Sequence, residues 1–459
     1  MTSAPPAIPL RLWMIASLTG SGAFMAMLDS TVANLAIESI ATDLAAPLGK
    51  VQWVATGYLI ALAVSLPPAG WLGRRFGQRR VWAASVLGFV AASAACALSP
   101  DLPSLIAARC FQGLAAGVMV PAGQAVLAAA ADRRQLGRLM GVVGFAVAIG
   151  PALGPAIGGL LIDGLSWRWL FLINIPPGMI ALAFARRVIP ARKTRPAGPL
   201  DRRGLVLIAA GLPLLLYGAA EVGAGGLDPL PVAGAVAGAA LAAGFLRHAF
   251  RAAAPLVEVR LLLRPLFGGA VAAACCTGAA MYGGLIVLPI FLQTALHRSA
   301  TEAGLLLLAM GMGAACALPL AGSLTDRYGT AGPCQAGSLL LLLSTAALLV
   351  PVEPGATLVV LLFLRGAGLA LAQLPAMTAA YGAVAKAEAG DAATVINMAQ
   401  RLGGALGAVL SVVAMARGRH AAEDPACGWA FVLLVVFAAG SLAAGRSLAR
   451  RAGPETPAG

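Results

Sequence analysis

Residues 109–122, RCFQGLAAGVMVPA, place one arginine at the start of a long run of small and apolar side chains. A similar stretch, RGAGLALAQLPA, occupies residues 365–376 and also opens on an arginine. A second pair of motifs, GWLGRRFG at 70–77 and GSLTDRYG at 322–329, precedes each of them in the same order. Gly-rich apolar helices can resemble one another by chance, but two motifs that recur in one order predict two related halves, a plan found in membrane transporters.

The composition around these motifs is that of a membrane protein. Hydrophobic residues make up 60% of the 459 residues and charged residues only 11%, whereas soluble proteins carry about 25% charged residues. The first apolar segment has no small-residue cleavage site of the signal-peptide kind, so we expect it to be a retained spanning helix. The formal charge of +14 lies mostly in short loops between apolar runs, which argues against nucleic acid as a partner.

Fourteen transmembrane helices are predicted, since a span needs about 20 mostly apolar residues. The segments are long, rich in Ala, Leu and Gly, and apolar on all sides, which excludes the short alternating strands of a β-barrel. The predicted spans are 12–36, 52–73, 80–98, 102–128, 138–162, 167–186, 204–222, 229–248, 266–292, 302–324, 333–351, 356–383, 392–415 and 427–446.

The basic residues predict the orientation. With the N-terminus inside, 24 Lys and Arg lie on the inner side, five on the outer side and three within or beside spans. Such asymmetry predicts a multi-pass protein of the cytoplasmic (inner) membrane with both termini in the cytoplasm. The expected organisation is a six-helix bundle over 1–186, linkers with two inserted helices over 187–264, and a second six-helix bundle with a short tail over 265–459.

Asp29 is the acidic residue placed well inside a predicted span. It lies seven residues before the outer end of the first span, and Arg109 lies seven residues after the outer start of the fourth. Both are therefore about 10 Å deep. Because an isolated charge in hydrocarbon costs about 3 kcal/mol or more, the matching depth predicts a shared polar site. Burial raises the pKa of an aspartate and a nearby cation lowers it, and a carboxylate between these two effects is suited to exchange protons. The alternative is a purely structural ion pair or an Asp29 that caps the helix.

The fifth span combines glycines at four-residue spacing with two prolines. Small residues at this spacing let a partner helix approach closely, and each proline removes a backbone hydrogen bond. The spacing therefore predicts a packing face that also flexes, with static packing as the alternative. The residues are Gly150, Pro151, Gly154, Pro155, Gly158 and Gly159.

Other polar and aromatic residues could line a substrate cavity, although any one of them could equally pack between helices. The candidates are Asn34, Gln52, Trp53, Tyr58, Gln112, Gln124, Tyr282, Gln293 and Gln373. The three histidines fall in loops and the seven cysteines lack metal-ligand spacing. We therefore expect no metal site, no cofactor and no catalytic residues, with a proton gradient as the energy source.

Taken together, these motifs resemble the fourteen-helix drug:proton antiporters of the major facilitator superfamily over nearly the whole chain. LDSTVANLAI at 28–37 is similar to the family's first-helix signature, and residues 105–123 are similar to its fourth-helix motif. GPALGPAIGG at 150–159 resembles the antiporter motif of the fifth helix. The resemblance implies a fold of two six-helix bundles, proton coupling at Asp29 and a role for Arg109 in proton transfer.

The loop after the second helix departs from the family pattern. The family usually has an acid there, in G-x-L-x-D-R-x-G-R-[RK], that contributes to gating on the cytoplasmic side. This chain has Arg74 in that position, whereas the second copy keeps Asp326. Gating by an acid at this position is therefore not expected in the first half. Either gating depends on other residues, or a loop acid such as Asp132 takes the role of the missing acid. The expected gating residues are Gly70, Arg74, Arg75, Gly77, Arg79, Asp326, Arg327 and Gly329.

The expected function is export by alternating access, in which inward-moving protons drive the efflux of hydrophobic or cationic compounds. A substrate-specific exporter of a metabolite, sugar, amino acid or self-made antibiotic is the alternative within the same fold. A membrane-embedded enzyme or receptor is disfavoured because no convergent set of nucleophile, base and metal ligands is found. Expected partners are a small-molecule substrate, protons and membrane lipid, and the expected working unit is a monomer.

Overall fold

The computed structural model describes residues 7–190, 198–225, 228–350, 355–420 and 428–451, and all regular elements in these ranges are helices. The long helices are α1 Leu10–Leu35, α2 Trp53–Ser65, α3 Gln78–Ala97, α4 Leu102–Ala130, α5 Arg133–Gly164, α6 Ile175–Val188, α7 Arg202–Gly225, α8 Pro229–Arg251, α9 Pro265–Thr294, α10 Ala300–Tyr328, α11 Ala331–Ala346, α12 Ala356–Gly382, α13 Ala389–His420 and α14 Gly428–Arg451. Short α-helices at Ile37–Asp43, Leu48–Val51, Ala69–Phe76 and Trp169–Leu172 and 3-10 turns at Val259–Leu263, Ala347–Leu349 and Lys386–Glu388 lie between them.

Most of these helices can cross a membrane. In the described part of the chain, 12 segments are long and apolar enough to do so. The helices α5 and α7 have 32 and 24 residues, which is also sufficient at about 1.5 Å per residue. The predicted all-helical multi-pass fold is therefore confirmed, and its helix number is consistent with fourteen.

Two of the predicted spans contain an interruption in the helix. The span 52–73 is broken, because α2 ends at Ser65 and the next helix begins at Ala69. Pro67 and Pro68 lie in this gap, and proline cannot donate the backbone hydrogen bond that a helix interior requires. The span 167–186 is likewise divided before α6, whose first turn contains a proline, the position where proline is tolerated.

The two halves repeat the same helix contacts. α1 packs on α5, and both α2 and α3 pack on α4; in the second half α9 packs on α13, and both α10 and α11 pack on α12. The loops after α2 and α10 both contain a glycine at positive φ, 87° at Gly77 and 79° at Gly329, where other residues are strained. The inserted helices α7 and α8 pack on each other, and α7 also contacts α2 and α13. The residue boundaries of the three predicted units stay a prediction.

The apolar core joins the halves at one end of the molecule only. One cluster of buried side chains contains residues of both halves, for example Leu139 of α5 and Leu374 of α12. At the other end, separate clusters form around Phe171 in the first half and Phe431 in the second. We call the joined end, where loops 74–80 and 132–138 lie, the basic end. The region between the halves beyond it, where each half has its own apolar cluster, is called the cleft.

Candidate transport site

Asp29 lies in a fully enclosed polar cluster within the first half. The residue is 2% exposed, and Arg109 is 0% exposed. Arg109 Nη1 donates to Asp29 Oδ2 at 2.5 Å. The other carboxylate oxygen accepts from Gln112 Nε2 at 2.9 Å and from Asn174 Nδ2 at 3.2 Å. The two charges, which the sequence places at matching depth, are thus in direct contact. Two side-chain amides donate the remaining hydrogen bonds to the carboxylate.

The guanidinium of Arg109 is fixed on several sides. Its Nε donates to the Val54 carbonyl at 3.0 Å, and Nη1 also donates to Gln112 Oε1 at 2.7 Å. The rings of Tyr58 and Phe171 lie 4.3 and 5.5 Å from its central carbon, close enough for cation–π attraction. Nη2 has no hydrogen-bond partner among the described residues, so these aromatic contacts stabilise that side of the charge.

The sequence of α4 explains how these groups meet. Asp101 caps the helix by accepting from the backbone N–H of Ser104 at 2.8 Å. Residues 109 and 112 lie three apart and so share one helix face. Gly113 lies against the backbone of α2, where a β-carbon would collide with the Tyr58 carbonyl. The α4 helix can therefore approach α2 closely and present both polar side chains to α1.

The cluster is built for an ionised carboxylate. Every hydrogen bond that Asp29 makes in it is accepted from an N–H donor. A proton on Asp29 would remove the negative charge that these donors share, so the charge-assisted contact with Arg109 in particular must weaken. The partners come from α4 and from the residue before α6, while Gln112 also donates to Ser93 of α3 at 2.7 Å. Protonation would therefore loosen contacts among four helices of the first half.

The glycines of α5 contact two different helices along its length. In the outer part, β-carbons at Gly150, Gly154 and Gly158 would lie 2.7–2.9 Å from side chains of α1. In the part near the basic end, Gly137 and Gly141 pack on α10 of the second half in the same way. α5 therefore bridges α1 and α10, and small residues allow both close approaches.

Three ion pairs with different burial connect the halves at the basic end. The side chain of Asp326 is 0% exposed and accepts from Arg138 Nε at 2.8 Å. It also accepts from the backbone N–H groups at the start of α5. Arg74 pairs with Asp391 at the start of α13. The loop that carries Arg74 in place of the family's acid therefore still contacts the second half. The exposed pair of Asp132 and Lys386 joins the halves at 2.9 Å.

A polar contact between the halves lies farther inside the molecule than these ion pairs. Gln124 Oε1 of α4 accepts from Asn397 Nδ2 of α13 at 2.7 Å and from the Tyr381 hydroxyl at 3.1 Å. All three side chains lie between the basic end and the cleft. The hydrogen bonds and ion pairs at this end therefore describe a transporter-like molecule closed at the basic end.

Comparison with known proteins identifies the family. Residues 19–408 match the sequence profile of the Major Facilitator Superfamily.

The chain belongs to the major facilitator superfamily.

Relatives of this superfamily member include drug-resistance proteins. It is 33% identical over 418 residues to the "Multidrug resistance protein B homolog" of Mycobacterium tuberculosis (strain ATCC 25618 / H37Rv), covering 90% of this chain and 77% of the relative. It is 35% identical over 425 residues to the "Tetracenomycin C resistance and export protein" of Streptomyces glaucescens, covering 89% and 77%. The solved structure of the proton:xylose symporter XylE covers 96% of each chain with a TM-score of 0.65 and 15% identity, which supports the fold.

The superfamily fold encloses several residues that were expected to line a cavity. Tyr58 and Gln112 are 1% and 0% exposed and belong to the Asp29 cluster, and Gln124 is 5% exposed and holds the halves together. Their polar atoms are used in buried hydrogen bonds, so these three side chains are enclosed in this arrangement, and their role in substrate binding stays a prediction.

The remaining cavity candidates divide by exposure. Tyr282 and Gln373 are half-buried, and the ring of Tyr282 packs on Gly404. Gln293 is exposed at the end of α9 and donates back to the Pro289 carbonyl, so its place as a cavity residue is not supported. The side chains of Asn34, Pro151 and Pro155 lie outside the described residues.

The expected gating and hinge residues differ in their surroundings. Gly70 lies against Asp391, and Arg79 donates to the Ile189 carbonyl at 3.4 Å. Arg75 and Arg327 are exposed. Gly159 lies off the α5 packing face, since a β-carbon there would meet nothing within 4 Å, and its role in the motif stays a prediction. It is displaced from that face because it follows Gly158 by one residue, or about 100° around the helix.

Sequence reasoning missed several partners in the site. Asn174 lies in the stretch WRWLFLINIPPG at 167–178, and an amide in an apolar stretch is the signal that could have found it. Ser93 gives no such signal, because serines are common in Ala-rich helices. Nothing in the sequence indicates that Asp391 contacts Arg74, and only the fold shows this pair.

A smaller polar contact ties two connections together at the opposite end. Asp43 Oδ2 accepts from Arg168 Nη1 at 2.7 Å and from the Trp167 indole N–H at 3.0 Å. These hydrogen bonds, the one from Arg168 first, hold the pKa of Asp43 below its ordinary value. The contact joins the connection after α1 to the connection after α5.

Proposed function

We propose that this transporter exports small hydrophobic compounds across the cytoplasmic membrane in exchange for protons, with its basic end and both termini in the cytoplasm. The single observation that carries this proposal is the enclosed Asp29 cluster. It holds a carboxylate deep within the spans, among donors whose hydrogen bonds weaken when the carboxylate gains a proton. The proton gradient supplies the energy, no cofactor takes part, and the working unit is a monomer in the lipid bilayer.

The packing of α5 supports a route from the proton to the gate. A β-carbon at Gly150 would lie 2.9 Å from Met27, two residues before Asp29 in α1. Near its start the same helix lies beside Asp326 of α10, which accepts from two backbone N–H groups of its second turn. A shift of α1 on protonation would therefore move a helix that bears on the contact between the halves. Coupling requires an element that contacts both the proton site and the gate and whose position each of them can shift. α5 is proposed to be that element.

The contacts at the basic end define what alternating access must break. In the closed arrangement, Asp326, Arg74 and Lys386 each pair across the halves. Opening toward the cytoplasm requires these pairs to separate while the cleft closes. Protonation of Asp29 would shift the equilibrium between the closed and open arrangements. The size of the shift equals the difference in the free energy of the Asp29 contacts between the two arrangements.

The proposal is tested with purified protein in liposomes under an imposed pH gradient. A neutral fluorescent hydrophobic compound such as Nile red is supplied together with a lumenal pH dye. We expect substrate movement against its gradient and matching proton movement, both lost in Asp29→Asn, whose side chain cannot exchange a proton. Glu221→Gln, which alters an exposed acid at the end of α7, is the matched control and should transport normally.

Normal uphill transport by Asp29→Asn would contradict the proposed coupling. Asp29→Glu separates chemistry from packing, because it keeps the carboxylate while disturbing the hydrogen bonds. Partial transport by this variant, together with none by Asp29→Asn, would support proton exchange at this position.

A substrate-specific exporter is the second candidate. The relative from Streptomyces glaucescens is named for resistance to and export of one compound, tetracenomycin C, and shares 35% identity with this chain. A susceptibility panel of structurally unrelated toxic compounds in a pump-deficient host separates the two. Protection against a single compound favours the specific exporter, whereas protection against several unrelated compounds favours multidrug efflux.

A further inference from the structure

The interior of the second half contains an arginine without an acidic partner. Arg365 of α12 is 0% exposed, as is Arg109 of α4 in the first half. Its Nη2 donates to the Ala280 carbonyl at 2.9 Å and its Nη1 contacts the Met310 sulfur at 3.5 Å. Nε has no hydrogen-bond partner among the described residues. No carboxylate of the described chain forms an ion pair with it.

A comparison of the two arginines shows what is absent. Asp29 of α1 contacts Arg109 in the first half. In the second half, the neighbour contributed by α9 is Gly284, where a β-carbon would lie 2.9 Å from Arg365 Nη1. The second half therefore keeps the cation and has a glycine beside it, which leaves one buried positive charge uncompensated.

A further arginine faces the first half from α13. Arg401 follows Asn397 by four residues and so lies on the same face of the helix, about 6 Å farther from the basic end. Asn397 contacts Gln124 across the halves, which fixes the direction of this face. Arg401 is half-buried, and no hydrogen bond or ion pair joins it to another described residue.

These observations set the sign of the charge in the cleft. Asp29 and Arg109 neutralise each other, whereas Arg365 and Arg401 have no carboxylate partner in the described chain. Positive charges in a low-dielectric region repel a cation and attract an anion, and arginine binds carboxylates through paired hydrogen bonds. We propose that the transported compound is a hydrophobic molecule with an acidic group, which binds Arg401 in the cleft.

This inference rests on the proposed function and names the substrate class of the same cleft. It narrows the substrates expected from the sequence, hydrophobic or cationic compounds, to hydrophobic compounds with an acidic group. The apolar body of the compound would lie against the helices that line the cleft, and its acidic group would pair with the guanidinium. Arg365 would contribute through its charge, since it is enclosed and out of contact with the cleft.

The test compares two probes that differ only in charge, pyrenebutyrate and pyrenebutyl-trimethylammonium. Binding to the full chain in lipid nanodiscs is measured by fluorescence, without a pH gradient and after subtraction of empty nanodiscs. We expect the butyrate to bind at least about tenfold more tightly. Arg401→Gln should weaken the butyrate by about tenfold and change the ammonium probe less than twofold. Arg401→Lys should retain part of the preference.

The matched control is Arg446→Gln, which removes an exposed arginine of α14 and should change neither affinity. Equal or tighter binding of the ammonium probe to the wild-type chain would overturn the proposal. So would equal weakening of both probes by Arg401→Gln, or no binding of either probe. The proposal stays testable if Arg401→Gln fails to fold, because the comparison of the two probes on the wild-type chain alone shows whether the cleft prefers an acidic or a cationic compound. Uphill export by Asp29→Asn with the butyrate preference intact would refute the proton coupling and leave this assignment standing.

Discussion

The ion pair between Arg74 and Asp391 should control how readily the basic end opens. Its side chains are 21% and 9% exposed, so the pair is largely shielded from water. Gly70 lies against the same carboxylate, where a β-carbon would be 2.7 Å from Oδ1. The substitution Asp391→Asn removes the negative charge while keeping the shape of the side chain. It leaves Arg74 without its counter-charge only in the closed arrangement, so it should favour opening.

The size of the effect follows from the burial of the pair. Breaking a fully buried pair costs about 3–5 kcal/mol and breaking an exposed pair about 0–1 kcal/mol, so about 2 kcal/mol is expected for this intermediate case. At about 1.4 kcal/mol per factor of ten, this is a shift of about 30-fold toward the open arrangement. A protein that is about 1% open would then become about one-quarter open.

The assay measures distances between spin labels at the exposed positions Arg75 and Arg327, one in each half at the basic end. Electron–electron double resonance on a cysteine-free background should show a single short distance in the parent chain. Asp391→Asn should add a longer population. The charge reversal Arg74→Asp with Asp391→Arg should restore the short distance, because the attraction is the same with the signs exchanged.

The control is Asp132→Asn, which breaks the second ion pair at this end. Asp132 and Lys386 have side chains 79% and 48% exposed, so their interaction is screened by water and should contribute at most about 1 kcal/mol. Little change in the distance distribution is expected. The reasoning would be refuted if Asp391→Asn left the distances unchanged, or if Asp132→Asn opened the basic end to the same degree.

Further predictions concern stability and pH. Arg109→Gln should lower the stability of the folded protein by about 3–5 kcal/mol, because it leaves a buried carboxylate unpaired, and a thermal unfolding assay in detergent would measure it. Gly154→Leu should destabilise by about 1–3 kcal/mol through overpacking against α1, whereas Gly159→Leu, with open space around it, should have little effect in the same assay. The pKa of Asp43 is depressed in the folded protein, so its contribution is complete above the ordinary aspartate range and is lost as pH falls through the folded value. Trp167 fluorescence should therefore change in acid below about pH 4, and Asp43→Asn should abolish that change.

Much of the architecture can be read from the sequence because the bilayer restricts what a chain can do. A span must be helical and about 20 residues long, and the apolar runs are separated by short basic loops. The breaks at Ser65 and before α6 were missed because hydropathy does not register the hydrogen bonds that proline removes. The paired glycines Gly77 and Gly329 were visible as a repeat, while their positive φ appears only in the fold.

The Asp29–Arg109 pair could be anticipated because each charge has a definite depth along its own helix, and depth is a local property of the sequence. Its two amide partners and the aromatic rings could not, since they depend on which helix faces which.

The sequence by itself determined a polytopic helical protein, two related halves and a costly acid at a known depth. Only the tertiary structure decided that Arg74 meets Asp391, that Gln124 joins the halves and that Arg401 faces the cleft without an acid. The physical reason is that span, depth and helix face follow from neighbours within a few residues. The partner across a helix interface is set by the packing of residues hundreds of positions apart.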